Sequence, residues 1–128
     1  MDPLIVLAEF DEPGQISGPM VQAGFQIQTL DTAEAALRFC GINPVSLVIS
    51  RVVFRYGMSG VELVERLRSL ASPPHTILIT PHRSDRLRRI PGYPPPGVRV
   101  LRKPIVPAEL LKEVQSVVSV RPRAKATC

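Results

Sequence analysis

The sequence predicts a single α/β domain in which a doubly wound, parallel five-stranded sheet is covered by helices on both faces. Short apolar runs alternate with helix-like segments along the chain, and the strongest runs lack the polar alternation of a sheet that faces water on one side. Parallel strands need helical crossovers, and right-handed crossovers place helices on both faces of the sheet. With 128 residues, of which 45% are hydrophobic, the chain is long enough for one domain with one core.

Five apolar runs are the predicted strands. They are "LIVLA" at 4–8, "LVIS" at 47–50, "TILIT" at 76–80, "VRVL" at 98–101 and a weaker run, "FQIQT", at 25–29. In this architecture ligands bind at the carboxyl ends of the strands, near the switch in strand order. Functional residues are therefore expected at 9–12, 50–57, 80–82 and 102–104.

Two of the intervening segments carry helix-capping patterns. "DTAEAALRFCG" begins at Asp31, has Glu34 three residues further on, and closes on Gly41. "SGVELVERLRSL" repeats the capping spacing with Ser59 and Glu62. Both segments are predicted helices that begin at those capping residues.

The remaining helix candidates differ in strength. "PAELLKEVQSVVSV" begins with Pro107 as a plausible first helical residue. The segment 13–24 contains two glycines and Pro19 and is expected to form only a short or distorted helix. A fourth helix of about two turns is predicted at 84–90, followed by an extended loop at "PGYPPPG". We expect the domain to span 1–120 and a disordered basic tail to span 121–128.

Composition excludes several classes of protein. The apolar run near the N-terminus is ended by Glu9, which fits neither a signal peptide nor a membrane span, so a cytoplasmic location is expected. Cys40 and Cys128 are too few for a zinc site or a disulfide framework. We interpret Cys40 as a helix core residue and Cys128 as a free thiol in the tail.

The positive charge is concentrated in one region. The chain carries a net +5, but the stretch from His82 to Lys103 contains seven basic residues and one acid, Asp85, for a net +6. Such a segment suits an acidic partner or a nucleic-acid backbone. Only Tyr93 could stack on bases and no recognition motif is present, so a protein partner is expected rather than nucleic acid or a membrane.

The ordered set of motifs resembles the receiver domains of bacterial two-component response regulators, which have a flavodoxin-like (βα)5 fold. The resemblance covers residues 3–120 and rests on five stretches: "VLAEFDEP", "AGFQIQTLDTAEAAL", "LVISRVVFRYGMSGVELVERLRS", "ILIT" and "VLRKPI". In this family an aspartate that ends the third strand accepts a phosphoryl group from a histidine kinase. Two acids after the first strand help to hold Mg²⁺, and a hydroxyl and a lysine after the fourth and fifth strands contact the phosphoryl oxygens. The resemblance places Thr80 and Lys103 in those last two positions.

The acceptor position departs from the family pattern. The resemblance puts Arg51 in the aspartate position with one extra residue in the loop, while moving the gap offers Ser50 or Val52. No Asp or Glu occurs between Glu34 and Glu62, so the acceptor carboxylate is absent in every register. A guanidinium stays protonated and cannot attack phosphorus.

The acids after the first strand are also reduced. In "EFDE", Phe10 stands beside Glu9 in one register and beside Asp11 in the next, so one member of the adjacent pair is apolar. Two cations would then face only one or two carboxylates, and we expect Mg²⁺ binding to be lost, with no other cofactor. Arg51 would take the electrostatic role of the metal by pairing with Glu9 or Asp11, unless its head simply bends into solvent.

These residues predict a degenerate phosphorylation pocket without catalytic activity, formed by Glu9, Phe10, Asp11, Arg51, Thr80 and Lys103. The expected function is that of a stand-alone, non-enzymatic receiver-like module that binds a kinase or output protein without being phosphorylated. The family's switch aromatic is replaced by Val100. The partner-binding face is expected to comprise Arg83, Arg86, Arg88, Arg89, Val100 and Arg102, and a homodimer through the face between the fourth and fifth helices is a further possibility.

Two alternatives stay open. An active phosphorelay receiver could use an atypical acceptor, Asp11, Ser50 or His82. The arginines could instead form a basic nucleic-acid-binding module.

Overall fold

Five parallel strands form the sheet in the order β2-β1-β3-β4-β5. A computed structural model describes residues 4–8, 14–52, 59–80, 88–103 and 105–118. The strands are β1 (Leu4–Ala8), β2 (Gln26–Leu30), β3 (Leu47–Arg51), β4 (His75–Thr80) and β5 (Arg99–Arg102). The described helices are α1 (Gly14–Gln22), α2 (Ala33–Ile42), α3 (Gly60–Arg68) and α4 (Pro107–Val117), so α4 corresponds to the fifth predicted helix. The predicted fold class is confirmed.

The three central strands are buried on both faces, as their continuous apolar sequences predict. On one face the odd-numbered residues of these strands pack against Met20 of α1 and Leu110 and Val114 of α4. On the other face Val6, Ala8 and Val48 pack against α2 and α3. The edge strands β2 and β5 are largely exposed, which explains their weaker apolar signals.

The helix caps agree with the sequence in one case and differ in another. Ser59 caps α3, and its hydroxyl accepts a 3.2 Å hydrogen bond from the Glu62 amide, as predicted. The prediction that α2 is capped by Asp31 was wrong. Thr32 has the extended backbone of an N-cap, and its hydroxyl accepts from the Ala35 amide at 3.0 Å.

The other predicted helix ends agree with the structure only in part. The helix α2 continues through Gly41 to a cap at Asn43, so the predicted end at Gly41 was also wrong. Pro107 is the first residue of α4, as predicted. The helix α1 is short, only nine residues, and contains Pro19.

The segment 88–98 follows the surface of α3 in a series of turns. The loop 91–97 is not continuously extended as predicted, because Gly92 and Gly97 have φ values of +82° and +75°. The Tyr93-Pro94 peptide is cis. Ile90, Tyr93 and Val98 from this segment pack on a buried cluster formed by Val52, Val64 and Leu78. Most of the predicted helix at 84–90 lies outside the described residues, as does the tail 121–128. Among the described helices, none has the length and apolar character needed to cross a membrane.

Candidate functional site at the carboxyl edge of the sheet

Three of the predicted pocket residues lie at the ends of adjacent strands. Arg51 ends β3 and pairs with Ile79 of β4, so that Thr80 stands one residue further along the neighbouring strand. Thr80 pairs with Arg102 of β5, and the Lys103 amide donates a 2.8 Å hydrogen bond to the Thr80 carbonyl. Adjacent strands are about 4.8 Å apart, and Lys103 lies two residues beyond the β5 residue in register with Arg51, so their backbones are separated by roughly 12 Å. The fold therefore brings these three residues to one edge.

Arg51 is partly exposed and makes no ion pair with any described residue. Arg51 follows Ile49 by two positions. Because residues two apart in a strand lie on the same face, the Arg51 side chain leaves the backbone on the face of the sheet covered by α1 and α4. Ser50 points to the opposite face, is fully buried, and donates its hydroxyl to the Arg51 carbonyl at 2.9 Å. The Ser50 hydroxyl is thus out of contact with solvent, and its role as an atypical acceptor stays a prediction.

Gly60 fixes the backbone around Arg51, a role that sequence reasoning did not assign. The Gly60 amide donates a 2.7 Å hydrogen bond to the Val52 carbonyl. A Cβ on Gly60 would collide with the Arg51 carbonyl oxygen and lie 2.9 Å from the Val52 Cα. The glycine turn in the sequence signals a bend, but only the structure shows that the start of α3 is pressed against the end of β3.

The other pocket residues lie partly outside the described chain. Thr80 is buried and Lys103 is exposed. Glu9, Phe10 and Asp11 fall outside the described residues, so the pairing of Arg51 with Glu9 or Asp11 stays a prediction. His82 also lies outside them. Within the described ranges, no group of His, Cys, Asp and Glu side chains could hold a metal ion.

The described members of the predicted partner-binding face lie on β5 and on the segment that precedes it. Arg88, Arg89 and Arg102 are exposed, whereas Val100 is half-buried against the cluster that contains Leu78. Two further members, Arg83 and Arg86, fall outside the described residues.

Two titratable side chains near the core, Tyr93 and Cys40, have raised pKa values. Burial raises the pKa of the Tyr93 hydroxyl, and the positive charge of Arg88 opposes part of that rise. Cys40 is buried in α2, as predicted, and desolvation raises its thiol pKa to about 11. Cys40 is therefore a neutral core thiol rather than a reactive one.

Solved structures of receiver domains have the same architecture. A chemotaxis protein of Vibrio cholerae is 24% identical and superposes with a TM-score of 0.74, covering 92% of this chain and 99% of its own. A response regulator receiver protein of Sinorhizobium medicae is 17% identical, with a TM-score of 0.78 and coverage of 91% and 94% respectively. The signal receiver domain of an HD domain-containing protein of Pseudomonas fluorescens is 23% identical, with a TM-score of 0.78 and coverage of 91% and 86%.

The chain has the receiver-domain fold. No protein-family model and no curated protein matches the sequence. At these identities the structural likeness establishes the fold alone. It confirms the resemblance seen in the ordered motifs at that level, over nearly the whole chain.

Proposed function

We propose that the chain is a receiver-like module of phosphorelay, or two-component, signal transduction that acts through protein–protein interaction without being phosphorylated. The observation that carries this proposal is Arg51 at the carboxyl end of β3, where the receiver family places its acceptor aspartate. A guanidinium has no nucleophilic oxygen and remains protonated at physiological pH. The third strand therefore cannot supply an acyl phosphate.

The electrostatics of the edge support the loss of metal binding. Arg51 and Lys103 are both cationic, and no described residue at the ends of β3, β4 or β5 is a carboxylate. A hard dication needs several oxygen ligands, with negative charge to offset its own. The described part of the pocket does not fit Mg²⁺, and we infer that the module works without it.

The proposed partner is a protein of the same signalling pathway, either a kinase or an output protein, and the proposed location is the cytoplasm. Its binding face is assigned to the basic residues around β5 and the preceding segment, namely Arg83, Arg86, Arg88, Arg89, Val100 and Arg102. A second proposed partner is another copy of the chain, which would form a homodimer through the face between residues 84–90 and α4. We assign no enzymatic activity to the module.

The proposal is tested by incubating the protein with acetyl phosphate and Mg²⁺ and measuring its intact mass. The expected result is an unchanged mass, and a gain of about 80 Da would overturn the proposal. In parallel, amide NMR spectra recorded during titration with Mg²⁺ and fluoroberyllate should show no saturable shifts for Arg51, Val52, Thr80 and Lys103. Mapping any adduct would show whether Asp11, Ser50 or His82 serves as an atypical acceptor.

A further inference from the structure

The segment 88–103 is uniformly basic. It contains five cationic side chains and no acid. Arg99 is already paired, because its Nε lies 3.1 Å from an Oε2 atom of Glu113 on α4. Arg88, Arg89 and Arg102 are exposed and make no ion pair with any described residue. These three arginines are called the basic surface below.

The backbone segments that carry the basic surface lie on the same side of the sheet. Val100 packs on the cluster that also holds Ile90 and Tyr93, so this face of β5 is the one covered by the segment 88–98. Arg102 follows Val100 by two residues and projects from the same face. Ile90 and Tyr93, which follow Arg88 and Arg89 in the chain, pack on that cluster.

The backbone that carries Arg88 and Arg89 continues into a segment that is fixed to α3. Arg68 donates a hydrogen bond from its guanidinium to the Pro96 carbonyl. Gly92 has a positive φ and lies so close to α3 that a Cβ would be 3.2 Å from side-chain atoms of both Val61 and Glu65. The Tyr93 amide donates to the Ile90 carbonyl at 3.1 Å. Such a preorganised backbone reduces the conformational entropy lost when a partner binds.

The chemistry of the basic surface selects a type of partner. The guanidinium group of arginine forms bidentate hydrogen bonds with carboxylates, and opposite charge on the partner increases the association rate. The half-buried Tyr93 and the exposed Pro91 and Pro94 follow Arg88 and Arg89 in the chain and offer apolar contact. Tyrosine and arginine are also among the residues enriched at the sites that contribute most to the binding energy of protein interfaces.

We propose that the basic surface binds an acidic segment of the protein partner, one rich in glutamate or aspartate and interrupted by apolar side chains. This inference deepens the proposed function, on which it rests for the assignment of a protein partner. Carboxylates are favoured over a nucleic-acid backbone because the described segment offers a single aromatic ring, and that ring is half-buried and unsuited to base stacking.

The test uses the full chain and measures fluorescence anisotropy with a short fluorescein-labelled peptide of alternating glutamate and leucine residues. Saturable binding is expected, and it should weaken as salt is added. The double variant Arg88→Glu, Arg89→Glu should lose about tenfold or more in affinity, since it reverses two charges on the surface. A matched control, Arg38→Glu with Lys112→Glu, makes the same change in net charge at exposed positions on α2 and α4 and should stay within about twofold of the wild type.

Three outcomes would overturn the inference. The first is equal affinity of the wild type and the Arg88, Arg89 double variant, and the second is equal binding of a lysine–leucine peptide. The third is tighter binding of a generic DNA duplex that the same variant abolishes. A second variant, Arg89→Gln with Arg102→Gln, removes two charges without reversing them. It should lose affinity while its circular dichroism spectrum stays unchanged, which shows that the loss does not come from misfolding. No phosphodonor is present, so failure here leaves the acetyl phosphate result, and with it the proposed absence of phosphorylation, unaffected.

Discussion

The amide of Gly60 donates a 2.7 Å hydrogen bond to the carbonyl of Val52, which joins the first residue of α3 to the residue that follows β3. This contact leaves no room for a side chain at Gly60, because a Cβ would collide with the Arg51 carbonyl oxygen. The position of Arg51 therefore depends on a glycine nine residues away.

Gly60→Ala should destabilise the protein by more than about 2 kcal/mol, since either the hydrogen bond or the backbone of Arg51 must move. Urea denaturation measures the loss. Gly41→Ala is the matched control, since a Cβ there would meet only the Leu70 side chain at an ordinary 3.9 Å and alanine is favoured inside a helix, so a gain of up to about 1 kcal/mol is expected. Equal stability of the Gly60 variant and the wild type would show that the contact is dispensable.

Thr32→Ala should cost about 1 kcal/mol of folding free energy, because the Ala35 amide loses its capping acceptor. Asp31→Ala tests the neighbouring residue and should change stability by less than about 0.5 kcal/mol. Thermal or urea denaturation of the two variants compares them directly. A larger effect at Asp31 than at Thr32 would mean that the cap has been assigned to the wrong residue.

Cys40 should make stability depend on pH in the alkaline range. Its pKa is raised from 9.0 to about 11 in the folded protein, so the folded state holds its proton where the unfolded state has lost it. The stabilising contribution is complete below the unfolded pKa and is lost as pH rises between about 9 and 11, by about 1.4 kcal/mol per pH unit. Urea denaturation across this range should show a steeper decline for the wild type than for Cys40→Ala. Parallel curves for the two proteins would contradict the prediction.

Restoring carboxylates should restore phosphorylation chemistry. The double variant Phe10→Asp, Arg51→Asp replaces an apolar side chain and a cation with two potential metal ligands, one of which is also a nucleophile. With acetyl phosphate and Mg²⁺ it is expected to gain about 80 Da, whereas the wild type and Arg51→Asn remain unmodified. Arg51→Asn controls for simple removal of the positive charge. Labelling of all three proteins to the same extent would place the acceptor elsewhere.

The sequence predicted the central sheet well because burial on both faces demands continuous apolar runs. The strands β1, β3 and β4 lie where those runs occur. The edge strands β2 and β5 each begin one residue later than predicted, because an exposed strand has no such run to mark its first residue. At α2, two adjacent residues could both act as caps, and the backbone geometry rather than the spacing selects Thr32 over Asp31.

The candidate site was predictable to the extent that strand order determines it. Arg51, Thr80 and Lys103 follow apolar runs, and the carboxyl ends of parallel strands must share one edge of the sheet. The contact of Gly60 with Arg51 and the ion pair of Arg99 with Glu113 were not predicted, because both depend on how separate elements pack together.

The short strand β5 has a consequence for the behaviour of the protein at high concentration. It is an edge strand of the described sheet, four residues long, and an exposed arginine stands at each end. Exposed strand edges recruit strands from other molecules, and bulky cations are a common protection against such aggregation. We therefore expect Arg99 and Arg102 to hinder other molecules from adding a strand to this edge.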